Sequence, residues 1–253
     1  MFLVTGGSSG IGRALAWELA RRGKSVLIVG RRKEKLSEAS RFSPLISTCC
    51  ADVSTMEGRT DIIASLAEVS RLQGVVHNAG IIEPIVPLES VDEYSWQKIL
   101  ATNLSAPLFL SQELLPRLRD GKVLHIGSGA AYFPVSGWAG YCVSKAALAM
   151  LTRCWQLESE KTSFASVMPG IIDTDMQAVI RQSRFMEQEK KDFFNRLYNE
   201  KKLISPETVA HFLAWLLLDV DHETFRSREW DIYDKNHHQA WLPESSGVPE
   251  WED

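Results

Sequence analysis

Tyr141 and Lys145 stand four residues apart, the spacing that puts two side chains on one face of a helix. A phenol titrates near about pH 10 and is a poor acid–base group at neutral pH. A neighbouring ammonium stabilises the phenolate and draws that pKa toward the working range. Taken alone the pair is ordinary surface decoration, and its weight comes from the company it keeps. Ser128 lies thirteen residues before Tyr141, where the apolar run Val123–Ile126 has just ended. Its hydroxyl could hold a substrate carbonyl beside the phenol, or it could be the turn residue of a Gly-Ser-Gly.

A second chemical signal is Thr5-Gly6-Gly7-Ser8-Ser9-Gly10-Ile11-Gly12, between an apolar run and an amphipathic one. Glycines in such a turn let the backbone approach a diphosphate, which then sits on free N–H groups at the helix N-terminus. An ordinary strand–helix connection would read similarly, but position at the first strand of an α/β pattern favours a nucleotide. The Gly-x3-Gly-x-Gly spacing differs from the commoner dinucleotide fingerprint, and the lysine of an ATP-hydrolysing loop is missing. The next apolar run ends in Val29-Gly30-Arg31-Arg32-Lys33, with no acid before Glu34. An acid there would bind a ribose 2′-hydroxyl, whereas a guanidinium can hold a 2′-phosphate bidentately. Arg31 and Arg32 therefore point to NADP(H), with a solvated basic turn as the plainer alternative.

The elements that must position these groups follow from hydrophobic patterning. Continuous apolar runs at Phe2–Thr5, Val26–Val29, Val75–Val76, Val123–Ile126 and Phe164–Met168 predict buried parallel strands, and Glu229–Tyr233 predicts a last one. Amphipathic stretches between them predict helices from Ile11 to Arg22 and around Lys33–Ser40, Glu57–Leu72, Tyr94–Arg119 and Tyr141–Glu160. Ser205-Pro206-Glu207 opens another helix, with Ser205 as N-cap. Alternation of this kind gives an α/β fold, a Rossmann-type doubly wound parallel sheet in one domain over 1–235, with an irregular tail over 236–253. The chain of 253 residues has 28 Lys plus Arg against 32 Asp plus Glu, a net charge of −4. That balance gives no basic stripe for nucleic acid. The densest apolar run, Phe212–Leu218, is far shorter than a membrane span. The N-terminus carries no basic segment followed by a cleavable apolar stretch. Four irregularly spaced cysteines make no disulfide framework, and a cytoplasmic location is expected. His237-His238 has no partner set at ligand spacing, so no metal site is expected and the pair reads as solvated tail.

Together these segments resemble a short-chain dehydrogenase/reductase from Phe2 to about Tyr233. Thr5–Gly12, and within it Gly6, Ser8, Ser9, Gly10, Ile11 and Gly12, falls on the glycine motif of that family. Asp52-Val53 falls on its adenine-contacting pair and Asn78-Ala79-Gly80 on its Asn-Ala-Gly motif. Asn103, Ser128, Tyr141 and Lys145 fall on its catalytic tetrad. Pro169-Gly170 with Ile172, Thr174 and Met176 falls on the nicotinamide-side segment. Two positions depart from the pattern: His77 replaces an asparagine, and Gly127 replaces the first serine of a frequent pair. The resemblance implies that Tyr141 donates a proton to a carbonyl oxygen as hydride reaches the carbon, while Ser128 orients that carbonyl. It implies that Lys145 lowers the tyrosine pKa and grips the nicotinamide ribose, and that Asn103 anchors a water leading from Lys145 to solvent.

Within the family, Gly137–Cys142, Pro169–Gln177 and Glu229–Lys235 are similar to sepiapterin reductases and, in the same motifs, to bacterial benzil and diketone reductases. Trp138, three before the tyrosine, and Phe133 are pocket candidates. Asp231 falls where sepiapterin reductases hold the pterin edge, though an acid there also ends the last strand in relatives without a pterin. Residues 171–203 correspond to the family's lid. The expectation is an NADPH-dependent carbonyl reductase for a small vicinal dicarbonyl or α-hydroxyketone, with a benzil-type or other alcohol dehydrogenase as the alternative. From other classes, a catalytically silent NADPH-sensing protein would not need both Tyr141 and Lys145, and a purely structural module would not need the tetrad. The family implies a homodimer through the helices at about 94–119 and 141–160, with a tetramer also possible.

Overall fold

Strands β1 (Phe2–Thr5), β2 (Val26–Gly30), β3 (Ile46–Cys50), β4 (Gly74–His77), β5 (Gly121–Ile126), β6 (Thr162–Met168) and β7 (Trp230–Asp231) form one parallel sheet in a computed structural model. Their order is β3-β2-β1-β4-β5-β6-β7. The structure describes residues 1–244 and 247–249; the rest of the tail lies outside the described residues. Strands β1, β4 and β5 are buried along their whole length, as strands covered on both faces must be. One face packs on α1 (Gly10–Arg21) and α9 (Pro206–Leu218), through Leu15, Leu19, Phe212 and Leu213. The other packs on α3 (Met56–Ser65) and α5 (Ala106–Leu114), through Ile62, Leu110 and Leu114. The order reverses between β1 and β4, so the crevice at their carboxyl ends is where ligands of open α/β sheets bind.

Several elements differ from the sequence reading. Strand β3, Ile46-Ser47-Thr48-Cys49-Cys50, was absent from it because only Ile46 and Cys49 are buried on this edge strand. The helix expected over Glu57–Leu72 ends at Ser65, and the last strand shrinks to Trp230–Asp231. The single helix expected over Tyr94–Arg119 is α4 (Glu93–Leu100), a π turn over Ala101–Ser105, and α5. Pro107 accounts for the break: it has no N–H to give the carbonyl of Asn103 four residues earlier. The Ala106 N–H accordingly reaches back to the carbonyl of Ala101.

His237 and His238 are not solvated. His237 is buried and stacks on Phe212 with ring centroids 5.0 Å apart. Its Nδ1 accepts the Trp241 indole N–H at 2.8 Å, so Nε2 carries the proton and donates to the Asp231 carbonyl at 3.0 Å. His238 reaches the Ile232 carbonyl at 2.7 Å from α11 (His238–Trp241), so this part of the tail is helical and packed. Among the described residues no helix is long and apolar enough to cross a membrane. No group of three or more His, Cys, Asp or Glu among them could hold a metal ion.

At the amino end of β5, Lys122 is buried and donates to the carbonyls of Leu216, Leu217 and Val220. These are orphan acceptors at the carboxyl end of α9, where a cation also suits the helix dipole. Replacing Lys122→Met leaves them buried and without that donor, and is expected to cost about 2 kcal/mol in urea unfolding at neutral pH. A loss below about 0.5 kcal/mol would show that other donors take over.

Candidate active site

The Gly6–Gly12 turn joins β1 to α1 with Gly6 at φ +66° and Gly10 at φ +52°. A Cβ on Gly12 would stand 2.5 Å from the Gly6 carbonyl oxygen, and one on Gly6 2.7 Å from Asn78 Nδ2. The turn closes only without those atoms. Asn78 holds it from β4: its Nδ2 donates to the carbonyls of Thr5 at 2.9 Å and Gly6 at 3.2 Å. Thr5 Oγ1 in return accepts the N–H groups of Asn78 and Ala79, both at 3.0 Å. Ser9, the N-cap of α1, makes no side-chain cap; its hydroxyl accepts from Arg32 at 2.9 Å. The first N–H groups of α1 thus face the crevice without a side-chain cap, a cradle suited to a diphosphate.

Arg31 and Arg32 both reach the rim of this cradle. Arg31 lies 3.6 Å from Asp52, and Arg32 lies 3.7 Å from Asp175 at the start of α7 (Asp175–Gln182). Burial opposes ionisation of the Asp52 carboxyl, but two hydrogen bonds from Ser54 and the nearby guanidinium outweigh it and hold its pKa below the usual range. Val53 beside it is buried. From the far side, Thr174 packs 3.2 Å from where a Gly10 Cβ would be. Ile172 bridges to Ile204, and Gly170 at φ +83° turns under the Tyr233 hydroxyl. Ser9, Gly10 and Thr174 line a cavity of about 330 Å³ that also receives Arg13, Lys35 and Arg181. Those three cations were not singled out in the sequence, where each sits in an amphipathic helix with nothing to mark it. This cradle fits a nicotinamide dinucleotide: glycine backbone for the diphosphate, cations at its rim, and the tetrad beyond.

The tetrad converges at the carboxyl ends of β4 and β5. Tyr141 and Lys145 lie in the first two turns of α6 (Ala139–Glu158) and are 8% and 5% exposed. The Ser128 hydroxyl lies beside the phenol and favours its ionised form, and Ser128 Oγ accepts the Ala130 N–H at 3.2 Å in the turn that follows β5. Lys145 Nζ donates to the Ile126 carbonyl at 2.7 Å and lies 5.6 Å from the centre of the Tyr141 ring. The π turn carries Asn103 inward. Its Oδ1 accepts the Ile81 N–H, and its Nδ2 donates to the Ile81 carbonyl and to Ser144 Oγ, all at 2.9 Å. Ser144 passes the chain on to the Tyr141 carbonyl at 2.8 Å. Gly80 keeps the gap between Asn103 and Lys145 open, since a Cβ there would stand 3.5 Å from Asn103 Oδ1 and 3.7 Å from Lys145 Nζ.

Burial pushes the Tyr141 phenol up to about 12, against the opposing pull of the neighbouring Ser128 hydroxyl. The ammonium is turned to the Ile126 carbonyl and is itself pushed down to about 8 by burial.

Above the tetrad, Tyr141 joins a buried apolar cluster with Ile82, Ile85, Trp138, Ile180, Met186 and Phe194, flanked by Met176. Ile180 comes from α7 and Phe194 from α8 (Gln188–Asn199), so the segment expected as a lid supplies the roof. Phe133 takes no part and is 73% exposed. Asp231 ends β7, its Oδ1 accepting the Tyr233 N–H at 3.0 Å, the strand-closing role. The departures also have local reasons. A Cβ on Gly127 would meet the Val167 carbonyl at 3.0 Å and Glu229 Oε1 at 3.5 Å, and that carboxylate accepts from Ser166 at 2.7 Å and from Tyr132. His77, buried and pushed down to about 3 by desolvation, is neutral and pairs with Ser111 at 2.9 Å.

The family profile described as short chain dehydrogenase matches residues 1–184. The chain belongs to the short-chain dehydrogenase family. Members use nicotinamide cofactors and act on carbonyl or hydroxyl groups, so it is an oxidoreductase of that kind. It is similar to a benzil reductase ((S)-benzoin forming) of Bacillus subtilis, 33% identical over 92% of this chain and 98% of that one. A protein of the same description from Bacillus cereus is 31% identical over 85% of this chain and 92% of that one. Among solved structures, a Saccharomyces cerevisiae short chain dehydrogenase/reductase superposes with a TM-score of 0.88 at 26% identity, over 96% and 99% of the two chains.

With Tyr141 near 12 and Lys145 near 8, the two directions of a carbonyl–alcohol reaction should differ in pH dependence. Reduction needs the protonated phenol, present throughout the neutral range, beside a charged Lys145. Its kcat/KM is expected to be level through neutral pH and to fall above about 8 as Lys145 loses its proton. Oxidation needs the phenolate and should rise into the alkaline range. Profiles measured in both directions check this, and a reductive rate that climbs with pH would contradict it.

Proposed function

We propose that the protein is an NADPH-dependent carbonyl reductase for flat, apolar vicinal dicarbonyls or α-hydroxyketones, such as the diketone named for its Bacillus relatives. The observation that carries this is the setting of Tyr141: a protonated phenol beside Ser128, inside a cluster of Trp138, Ile180, Met186 and Phe194. Such walls exclude water and suit aromatic or aliphatic faces rather than polyols. A nicotinamide bound in the crevice supplies hydride to the carbonyl carbon. Ser128 holds the carbonyl oxygen, and Tyr141 gives its proton to that oxygen as negative charge develops there. Lys145 keeps a positive charge below the site, and Asn103 fixes the start of α6 through Ser144. The cations Arg31 and Arg32 support the phosphorylated cofactor, each standing half exposed at the cradle rim with room to turn to a 2′-phosphate. The Asp231 carboxylate, engaged by Tyr233, supports a strand-ending role as readily as a pterin contact, so sepiapterin belongs in the substrate panel beside benzil and simple ketones.

Tyr141→Phe should lower kcat for benzil reduction about 100-fold or more, the usual worth of a positioned general acid; retention of most activity would sink the mechanism. Arg31→Ala should raise the NADPH KM about tenfold or more while leaving NADH nearly unaffected, as expected for loss of a charged hydrogen bond to phosphate. Wild-type efficiency with NADH equal to that with NADPH would sink the cofactor assignment. We further propose a homodimer through the outer faces of α4, α5 and α6, where Tyr94, Phe109, Val143, Met150 and Leu157 are exposed.

A further inference from the structure

Trp138 precedes α6 and is 7% exposed. Its ring meets the Tyr141 ring edge-on, with centroids 5.9 Å apart, and stacks on Phe194 of the lid at 6.0 Å and 14°. Its indole N–H is buried and has no hydrogen-bond partner among the described residues. Other indoles of this chain are satisfied: Trp17 donates to the Ala39 carbonyl, Trp230 to that of Phe225, both at 2.9 Å, and Trp241 to His237 at 2.8 Å. Trp155 shares the lack of a partner, but it stacks on Phe164 in the core, fourteen residues along α6 from the catalytic phenol. A buried donor without an acceptor costs free energy, and a protein that keeps one beside its reacting group has left a place for an acceptor from outside.

The other buried side chains of this apolar cluster carry no hydrogen-bond donor of their own besides the phenol. Ile82, Ile85, Ile180, Met186 and Phe194 are apolar, and the phenol and Ser128 hydroxyl are committed to the carbonyl being reduced. A vicinal dicarbonyl brings a second oxygen on the adjacent carbon, and in an apolar pocket that oxygen needs a donor. We propose that the Trp138 indole N–H donates to this second oxygen of a vicinal dicarbonyl, or to the hydroxyl of an α-hydroxyketone, and so selects such substrates over simple ketones. The inference rests on the carbonyl-reductase reading above. In this lid position the indole nitrogen is covered, so the donor becomes available as the substrate takes the place of lid side chains against it. Held there, the second carbonyl is kept off Tyr141, which makes one two-electron reduction per binding event the natural stopping point.

The test compares benzil with deoxybenzoin, which keeps both phenyl groups and one carbonyl but lacks the second oxygen. Wild-type enzyme, Trp138→Phe, and a variant carrying the isosteric benzothienyl side chain at position 138 are assayed with NADPH and with NADH. The benzothienyl ring preserves the stack on Phe194 and removes only the donor. Both variants should lower the ratio of kcat/KM for benzil to that for deoxybenzoin about tenfold, the worth of one hydrogen bond. They should also blur the regiochemistry of reduction of 1-phenylpropane-1,2-dione. An unchanged ratio in the benzothienyl variant overturns the assignment of Trp138 while leaving the reductase reading intact. Equal losses on both ketones overturn it too, because that is the mark of packing alone. If the wild type reduces neither ketone with either cofactor, the reductase reading itself falls and takes the proposal with it.

Discussion

The tie between Thr5 and Asn78 is the contact on which the site depends. It spans the two strands between which the sheet order reverses, and it uses every polar atom it can: two carbonyls accept from the amide, and one hydroxyl accepts from two backbone N–H groups. The glycine turn takes its shape from it, because Gly6 and Gly12 both pack against Asn78 Nδ2. The same stretch of chain then runs on through Gly80, which opens the gap between Asn103 and Lys145, to Ile81, whose backbone grips Asn103. Ile82 follows in the apolar wall around Tyr141. Cofactor cradle, proton-handling groups and substrate wall are thereby fixed by five consecutive residues.

Electrostatics within that frame set the protonation states at neutral pH. Both the phenol and the ammonium are buried, and burial disfavours the charged form of each. The phenol is left protonated, the form that can give a proton to an oxygen that gains charge. Neutral His77 and His125 beneath the catalytic helix add no competing charge, His125 being held well below its ordinary range chiefly by desolvation.

Much of this is legible in the sequence alone. The strands that carry the site are unbroken apolar runs, and the glycine turn and tetrad are conspicuous by residue type at fixed spacing. What the sequence hid has physical causes. Strand β3 buries only Ile46 and Cys49, so it lacks the apolar signature of its neighbours. His237 looked like a polar tail residue because its partners, Phe212, Trp241 and the Asp231 carbonyl, come together only when the tail folds back on α9 and β7. Spacing tells which residues share a helix face, but not that the Lys145 ammonium turns to the Ile126 carbonyl, which only the fold sets. Glu229 gave no sign because its partners, Ser166 and Tyr132, are far from it in sequence.

The break between α4 and α5 has a consequence for how the asparagine can be inherited. Each residue of an α-helix advances its face by about 100°, and a π turn is an α-helix with one residue too many, so the two helices run out of phase with each other. Asn103 faces inward on that offset. Loss of a residue at Ala101 or Thr102 would turn Asn103 by about 100° relative to α4 and swing the amide off Ile81 and Ser144, with no change in residue type at any other site position. The length of this short stretch is therefore as much a part of the active site as the identity of its asparagine.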